Sequence, residues 1–209
     1  MKTMFANGVR GAATLFLFAV VFTALMAGTY QLARKKVLFN EEKAKVALIA
    51  QVLPAKSFDN NLLKDAHALS AADGKALGND GDSSFYLAKK AGKTVAAVFE
   101  ATAPDGYAGK IKLLVGVDID GQVLGVRVVA HKETPGLGDY IDAAKSSWIE
   151  QFKGKELTAQ NAAAWKVKKD GGGFDYMAGA TISPRAVTAA VKRVLEYVAS
   201  KPQLWSAVN

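Results

Sequence analysis

The sequence predicts an α+β domain held behind one N-terminal transmembrane helix. Three features point there: an uncharged run of twenty residues at 11–30, two alternating apolar runs joined by Asp120-Gly121, and an amphipathic stretch over 184–200. A small antiparallel sheet flanked by helices accommodates the last two. Half of the 209 residues are apolar and 22% are charged, a balance suited to a folded domain rather than a disordered chain.

The run at 11–30 comes first. At 1.5 Å per residue, twenty helical residues span about 30 Å, the thickness of a bilayer's hydrocarbon core. Arg10 flanks one end and Arg34-Lys35-Lys36 the other, and Tyr30 suits the interface. A cleaved signal peptide is the competing reading, but its apolar region usually runs only ~7–15 residues. Residues 1–36 hold five bases and no acid, so they carry five of the chain's eight net positive charges. The basic balance therefore speaks of a lipid bilayer, and no nucleic-acid partner is expected. Basic residues are denser after the segment (Arg34, Lys35, Lys36, Lys43, Lys45) than before it (Lys2, Arg10). Taken alone, that count puts the large domain in the cytoplasm.

Residues 40–53 read as a separate helix, with Val46, Ile49, Val52 and Leu53 at helical spacing and Pro54 stopping the run. Residues 57–84 are rich in Asp, Asn, Gly and Ser and read as irregular surface chain with short helical pieces. Three strands follow: residues 94–101, then Ile111, Leu113, Val115, Val117 and Ile119 in strict alternation, then Val123–Ala130. Asp120-Gly121 predicts a tight primed turn between the last two. It also explains Asp118-x-Asp120-Gly121 better than a calcium loop, because the twelfth loop position is Val129. The final helix, 184–200, places Val187, Val191, Val194, Leu195 and Val198 on one face. The domain boundaries expected are an anchor at 1–36, a connecting region at 37–84 and the folded domain at 85–209.

The absence of cysteine excludes disulfides, thiolate-held iron–sulfur clusters and sulfur-ligated zinc, and two histidines are too few for a histidine-rich metal site. Any redox chemistry must then come from an organic cofactor. Two loops are candidates to hold one. Residues 131–139 follow the last strand and contain Pro135-Gly136 and Gly138, which suit a tight turn and close approach of a flat ligand to the backbone. An ordinary connection explains the same residues, and His131 reads as a strand-end structural histidine. In the second loop, residues 170–184, Ser183 reads as an N-cap and Pro184 as a first-turn residue. Thr181 would then lie just before a helix N-terminus, where free amides and the helix dipole favour phosphate. On the residues alone, a plain helix cap is the favoured reading and the turn is merely compatible with phosphate.

Asp175-Tyr-Met-Ala-Gly179-Ala180-Thr181 resembles the flavinylation motif of FMN-binding domains, and Glu133-Thr134-Pro135-Gly136-Leu137-Gly138 resembles that family's second signature. With one anchor and this length, the chain resembles the RnfG family of Rnf-type ion-translocating electron-transport complexes. It is also similar to the NqrC family of sodium-pumping NADH:quinone reductases. The likeness covers most of the chain and is weakest over 57–84. It implies an FMN joined through its phosphate to Thr181 by a magnesium-dependent flavin transferase that uses FAD as donor. Asp175, Gly179 and Ala180 would lie about the attachment point, Ser183 and the amides before Pro184 would receive the phosphate, and the 133–138 loop would pack near the isoalloxazine. Tyr140 and Trp148 are candidate ring contacts, although core packing is the favoured reading of Trp148. Ala178 departs from the motif, which usually has Ser or Thr there.

The resemblance further implies a non-catalytic electron carrier among other subunits of a membrane redox complex coupling NADH and ferredoxin to ion transport. It would sit in the inner membrane as a single-pass protein with its domain in the periplasm, against the base count. A threonine hydroxyl without an adjacent His or Lys is a poor nucleophile, which suits a separate modifying enzyme. Two other functions fit the residues: a stand-alone FMN reductase or flavin-dependent sensor, and a cofactor-free membrane-anchored binding protein.

Overall fold

The computed structural model describes residues 2–54 and 56–205. The chain divides into two units, Met1–Lys45 and Val46–Asn209. The described residues of the first belong to helix α1, Lys2–Val52, which runs on into the second. Within it, Ala6–Arg34 is long and apolar enough to cross a membrane, with a mean hydropathy of 2.0. Its large side chains, such as Leu15, Phe16 and Leu32, are exposed, as a lipid-facing helix requires. The hydroxyls of Thr14 and Thr29 donate back to the Arg10 and Leu25 carbonyls, so neither faces hydrocarbon unpaired.

The sequence predicts separate helices at 11–30 and 40–53, whereas α1 is continuous through both. Residues 31–40 contain no glycine or proline and are rich in Ala, Leu, Lys and Arg, which are good helix formers. Nothing there breaks the hydrogen-bond ladder until Pro54.

The second unit is built on a five-stranded antiparallel sheet in sequential order. The strands are β1 (Ala66–Ala68), β2 (Ser84–Lys90), β3 (Lys93–Gly106), β4 (Gly109–Asp118) and β5 (Val123–Ala130). A short helix, α2 (Ala71–Ala76), joins β1 to β2, with Ser70 capping its Asp73 amide. Three of the strands answer to the predicted ones. β1 and β2 do not: β2 alternates no polar residues because both of its faces are covered. Phe85 and Leu87 pack towards the C-terminal helix, whereas Tyr86 and Ala88 face the end of α1. Buried on both sides, such a strand shows an apolar run rather than a period of two.

That C-terminal helix, α3 (Ile182–Ser200), buries Val187, Val191, Val194, Leu195 and Val198 against one face of the sheet, as its pattern predicts. Ile49, Val52 and Leu53 cover the opposite face, over Val98 and Leu114. They approach closely because Gly116 and Gly125 are paired across β4 and β5 beneath Val52. A Cβ on Gly116 would stand 2.6 Å from the Val52 carbonyl oxygen.

The β4–β5 hairpin also differs in detail from the expected primed turn. Gly121 alone has a positive φ (84°), and its N–H bonds the Asp118 carbonyl. The Asp118 carboxylate accepts the Asp120 and Gln122 amides. This is a longer loop closed by a left-handed glycine, and the aspartate side chain supplies the acceptors the backbone lacks.

Residues 131–181 run from β5 to α3 through four short 3-10 turns: Asp139–Ile141, Ser147–Phe152, Ala162–Ala164 and Lys168–Asp170. An aromatic cluster of Tyr140, Trp148, Phe152, Trp165 and Phe174 holds this segment together. Its rings meet mostly edge-on or offset, the arrangements their quadrupoles favour.

Candidate functional site

The two loops singled out in the sequence come together at the N-terminus of α3. One cleft is lined by Glu133, Thr134, Leu137 and Gly138 from the first loop, and by Gly179, Ala180, Thr181, Ile182 and Ser183 from the second. Tyr107, at the tip of the β3–β4 hairpin, completes it. The cleft is open to solvent, and about 430 Å³ of space lies within it when that solvent is included.

The second loop is shaped by a tight turn. The Ala180 amide donates to the Met177 carbonyl, and Gly179 takes a φ of 89° that a side chain would resist. Tyr140 fastens this turn from below: its buried hydroxyl accepts the Met177 N–H and donates to the Ala180 carbonyl, both at 3.0 Å. Burial raises the Tyr140 pKa, with the Met177 hydrogen bond acting the other way, so the phenol stays protonated and able to donate.

Thr181 is the N-cap residue of α3, at φ −87° and ψ −26°. Its hydroxyl makes no capping bond, and the first turn carries no acidic residue. The first-turn amides therefore keep their attraction for an anion. Ser183 is expected as the cap, but it lies one residue inside the helix. It is buried, and its hydroxyl donates to Glu133 Oε2 at 2.7 Å. Ser183 thus offers a ligand its backbone N–H but not a free hydroxyl.

Glu133 is the centre of this arrangement. It is 5% exposed, and its second oxygen accepts the Ala108 N–H at 3.1 Å, tying the hairpin tip to the loop. Gly138 is pressed against it, where a Cβ would stand 2.6 Å from Oε2. Two donors thus satisfy the buried carboxylate, which would otherwise be costly to desolvate. His131 accepts the Glu133 N–H at Nδ1, in keeping with the structural role expected of it.

Gly136, Asp175 and Trp148 lie outside the cleft lining. Gly136 takes a φ of 75° in the turn of the first loop, and its amide donates to the buried Asp139 carboxylate. The Asp175 carboxylate is paired with Lys168, while its backbone is held by the Trp148 indole N–H and the Gln151 side chain. Trp148 is buried between Tyr140 and Phe152, so its ring serves the core and its nitrogen braces the motif. Ala178 is exposed at the corner of the Met177–Ala180 turn, away from the cleft lining.

Tyr107 and Ile182 were not legible as site residues. Tyr107 belongs to a hairpin far upstream of either loop, and Ile182 reads as an ordinary helix residue. The cleft combines flat apolar surface (Tyr107, Leu137, Ile182), bare backbone at Gly138 and Gly179, and an uncapped helix N-terminus. That combination suits a planar heteroaromatic ring carrying a phosphate.

Residues 106–196 match the model of the FMN-binding domain family, and residues 1–52 match that of the RnfG N-terminal region. The G subunit of the ion-translocating oxidoreductase complex of Yersinia pestis is 45% identical over 202 residues, covering 97% of this chain and 93% of that protein. The same-named protein of Escherichia coli (strain K12) is 46% identical over 202 residues, covering 97% and 94%. That of Vibrio cholerae serotype O1 (strain M66-2) is 48% identical over 184 residues, covering 88% and 87%.

Proposed function

The chain belongs to the RnfG family, the G subunits of ion-translocating oxidoreductase complexes, and we propose that it relays electrons through an FMN covalently attached to Thr181. The observation that carries the attachment is the position of Thr181. It stands in the cleft, with its hydroxyl free of any capping bond, at the uncapped N-terminus of a nineteen-residue helix. The Ile182 and Ser183 amides would hold the phosphate, and Leu137, Gly138 and Gly179 would border the ring. Bound flavin exchanges one or two electrons, so a single tether serves a relay between other redox centres.

Attachment is assigned to a separate flavin transferase acting on FAD. The Thr181 oxygen forms the new phosphoester bond, AMP departs with the electron pair of the broken pyrophosphate bond, and the hydroxyl proton passes to the transferase. Covalent attachment prevents cofactor loss where free flavin is not replenished, which agrees with a domain on the periplasmic side of the inner membrane. We assign residues 1–36 to the anchor, 37–84 to the connection and 85–209 to the flavin-carrying domain. The other subunits of the complex are its electron-transfer partners.

The test is made on full-length protein produced with the transferase, denatured and run on a gel. A fluorescent flavin band is expected in the wild type and its loss in Thr181→Ala. Fluorescence that survives Thr181→Ala, or no band in the wild type, overturns the attachment.

A further inference from the structure

We propose that Tyr107 is the aromatic wall of the cleft and stacks on the isoalloxazine of the FMN, with Glu133 as the positioning residue that holds it there. The inference rests on the reading of Thr181 as the tether and adds a ring contact that neither signature loop contains.

Tyr107 and Ala108 form the two-residue connection between β3 and β4, flanked by the paired Gly106 and Gly109. Neither Tyr107 nor Ala108 takes a positive φ, which falls instead on Gly109, so the turn accepts most residue types and nothing in its geometry asks for a tyrosine. The side chain is 68% exposed yet lines the same cleft as Leu137, Thr181 and Ile182. Tyr86 and Tyr140 are instead buried, each with its hydroxyl hydrogen-bonded. An exposed ring forgoes the burial that makes aromatic residues valuable, and a flat conjugated ligand in the cleft would restore it.

The hairpin tip is also anchored, not merely nearby. The Ala108 N–H donates to Glu133 Oε1 while Ser183 donates to Oε2. One buried carboxylate therefore fixes the Tyr107 turn and the attachment helix to each other. Glu133 acts through these two bonds and sets the spacing between the aromatic wall and Thr181.

A tyrosine stacked on a flavin quenches its fluorescence by electron transfer, which provides a readout independent of turnover. Full-length wild type, Tyr107→Leu and Tyr107→Trp are produced with the transferase and solubilised. Their flavin emission is compared before and after denaturation, the latter giving the covalent flavin content. The wild type and Tyr107→Trp are expected to be dim when folded. Tyr107→Leu is expected to be several-fold brighter, at the same covalent content and unfolding midpoint. Folded Tyr107→Leu as dim as the wild type overturns the stacking, and so does loss of co-purifying membrane subunits with quenching unchanged, which would make Tyr107 a protein contact. No covalent flavin in the denatured wild type overturns the tether, and the stacking with it.

Discussion

Ser183 and Glu133, fifty residues apart, meet in a buried 2.7 Å hydrogen bond that joins the first turn of α3 to the loop after β5. The carboxylate has one other donor, the Ala108 N–H. Removing the serine hydroxyl leaves Oε2 buried without its partner, which costs about 1–3 kcal/mol. Ser183→Ala is therefore expected to lower the denaturant midpoint of the full-length protein, followed by fluorescence of the buried Trp148 and Trp165. Ser183→Thr keeps the donor and is expected to lose less. Equal midpoints for Ser183→Ala and wild type would show that the bond is not stabilising.

The Gly116–Gly125 pair makes a similar demand on the other face of the sheet. A methyl at Gly116 would meet the Val52 carbonyl oxygen at 2.6 Å, and at Gly125 at 2.9 Å. Both neighbours are backbone, so the end of α1 must shift rather than a side chain rotate. Gly116→Ala is expected to destabilise the domain by about 1–3 kcal/mol, the range for an overpacked core. Gly125→Ala, with slightly more room, is expected to cost less. Urea unfolding of both variants measures the order.

How far the sequence discloses this architecture depends on how local the signal is. Gly179, Ala180 and Thr181 could be read because a contiguous motif carries them, and the buried face of α3 because its period is intact. Tyr107 could not, since only the fold brings the β3–β4 hairpin to the N-terminus of α3. Asp175 and Trp148 show the opposite limit. Both belong in or near the motif region, yet they serve it from behind, through the Trp148 indole bond to the Asp175 carbonyl. Ser183 reads as a cap from its type and the following proline, but the buried Glu133 claims its hydroxyl and the helix begins two residues earlier than that reading implies, at Ile182. In 57–84 the scarcity of apolar periodicity hides real order. Asn60 bonds Asp65, the Leu87 carbonyl and the Lys89 amide, so side-chain hydrogen bonds rather than an apolar stripe attach this stretch to the sheet.

Acid and base should each weaken the junction between α2 and the end of α3. Lys201 beside it, and then the Ser70 hydroxyl, lower the Asp73 pKa, and Asp73 in turn raises that of Lys201. A carboxylate with a depressed folded pKa stabilises above its unfolded value of about 3.9, and that contribution is lost as pH falls through the folded value. A raised lysine stabilises fully below its unfolded value of about 10.4, and that contribution is lost as pH rises through the folded value. Asp73→Asn should thus lower the melting temperature at pH 7. Its difference from wild type should shrink below about pH 4 and above about pH 10.4. A difference constant from pH 3 to 11 would exclude the ion pair as its cause.

The side of the membrane on which the domain stands is the point where charge and family resemblance disagree. Arg34, Lys35, Lys36, Lys43 and Lys45 follow the apolar segment, against Lys2 and Arg10 before it. The positive-inside rule is a bias on insertion, and neighbouring subunits of a complex can hold a helix against it. The covalent tether proposed for Thr181 would suit the periplasm, where a dissociated flavin would be lost. Because the chain has no cysteine, one introduced thiol reports on its own location. Asp120→Cys, at the exposed tip of the β4–β5 hairpin, is expected to react with a membrane-impermeant maleimide in intact spheroplasts. Asn7→Cys, at the start of the apolar stretch, is expected to react only after lysis. The reverse pattern would put the domain in the cytoplasm, as the base count alone implies, and would remove cofactor retention as a reason for the proposed covalent bond.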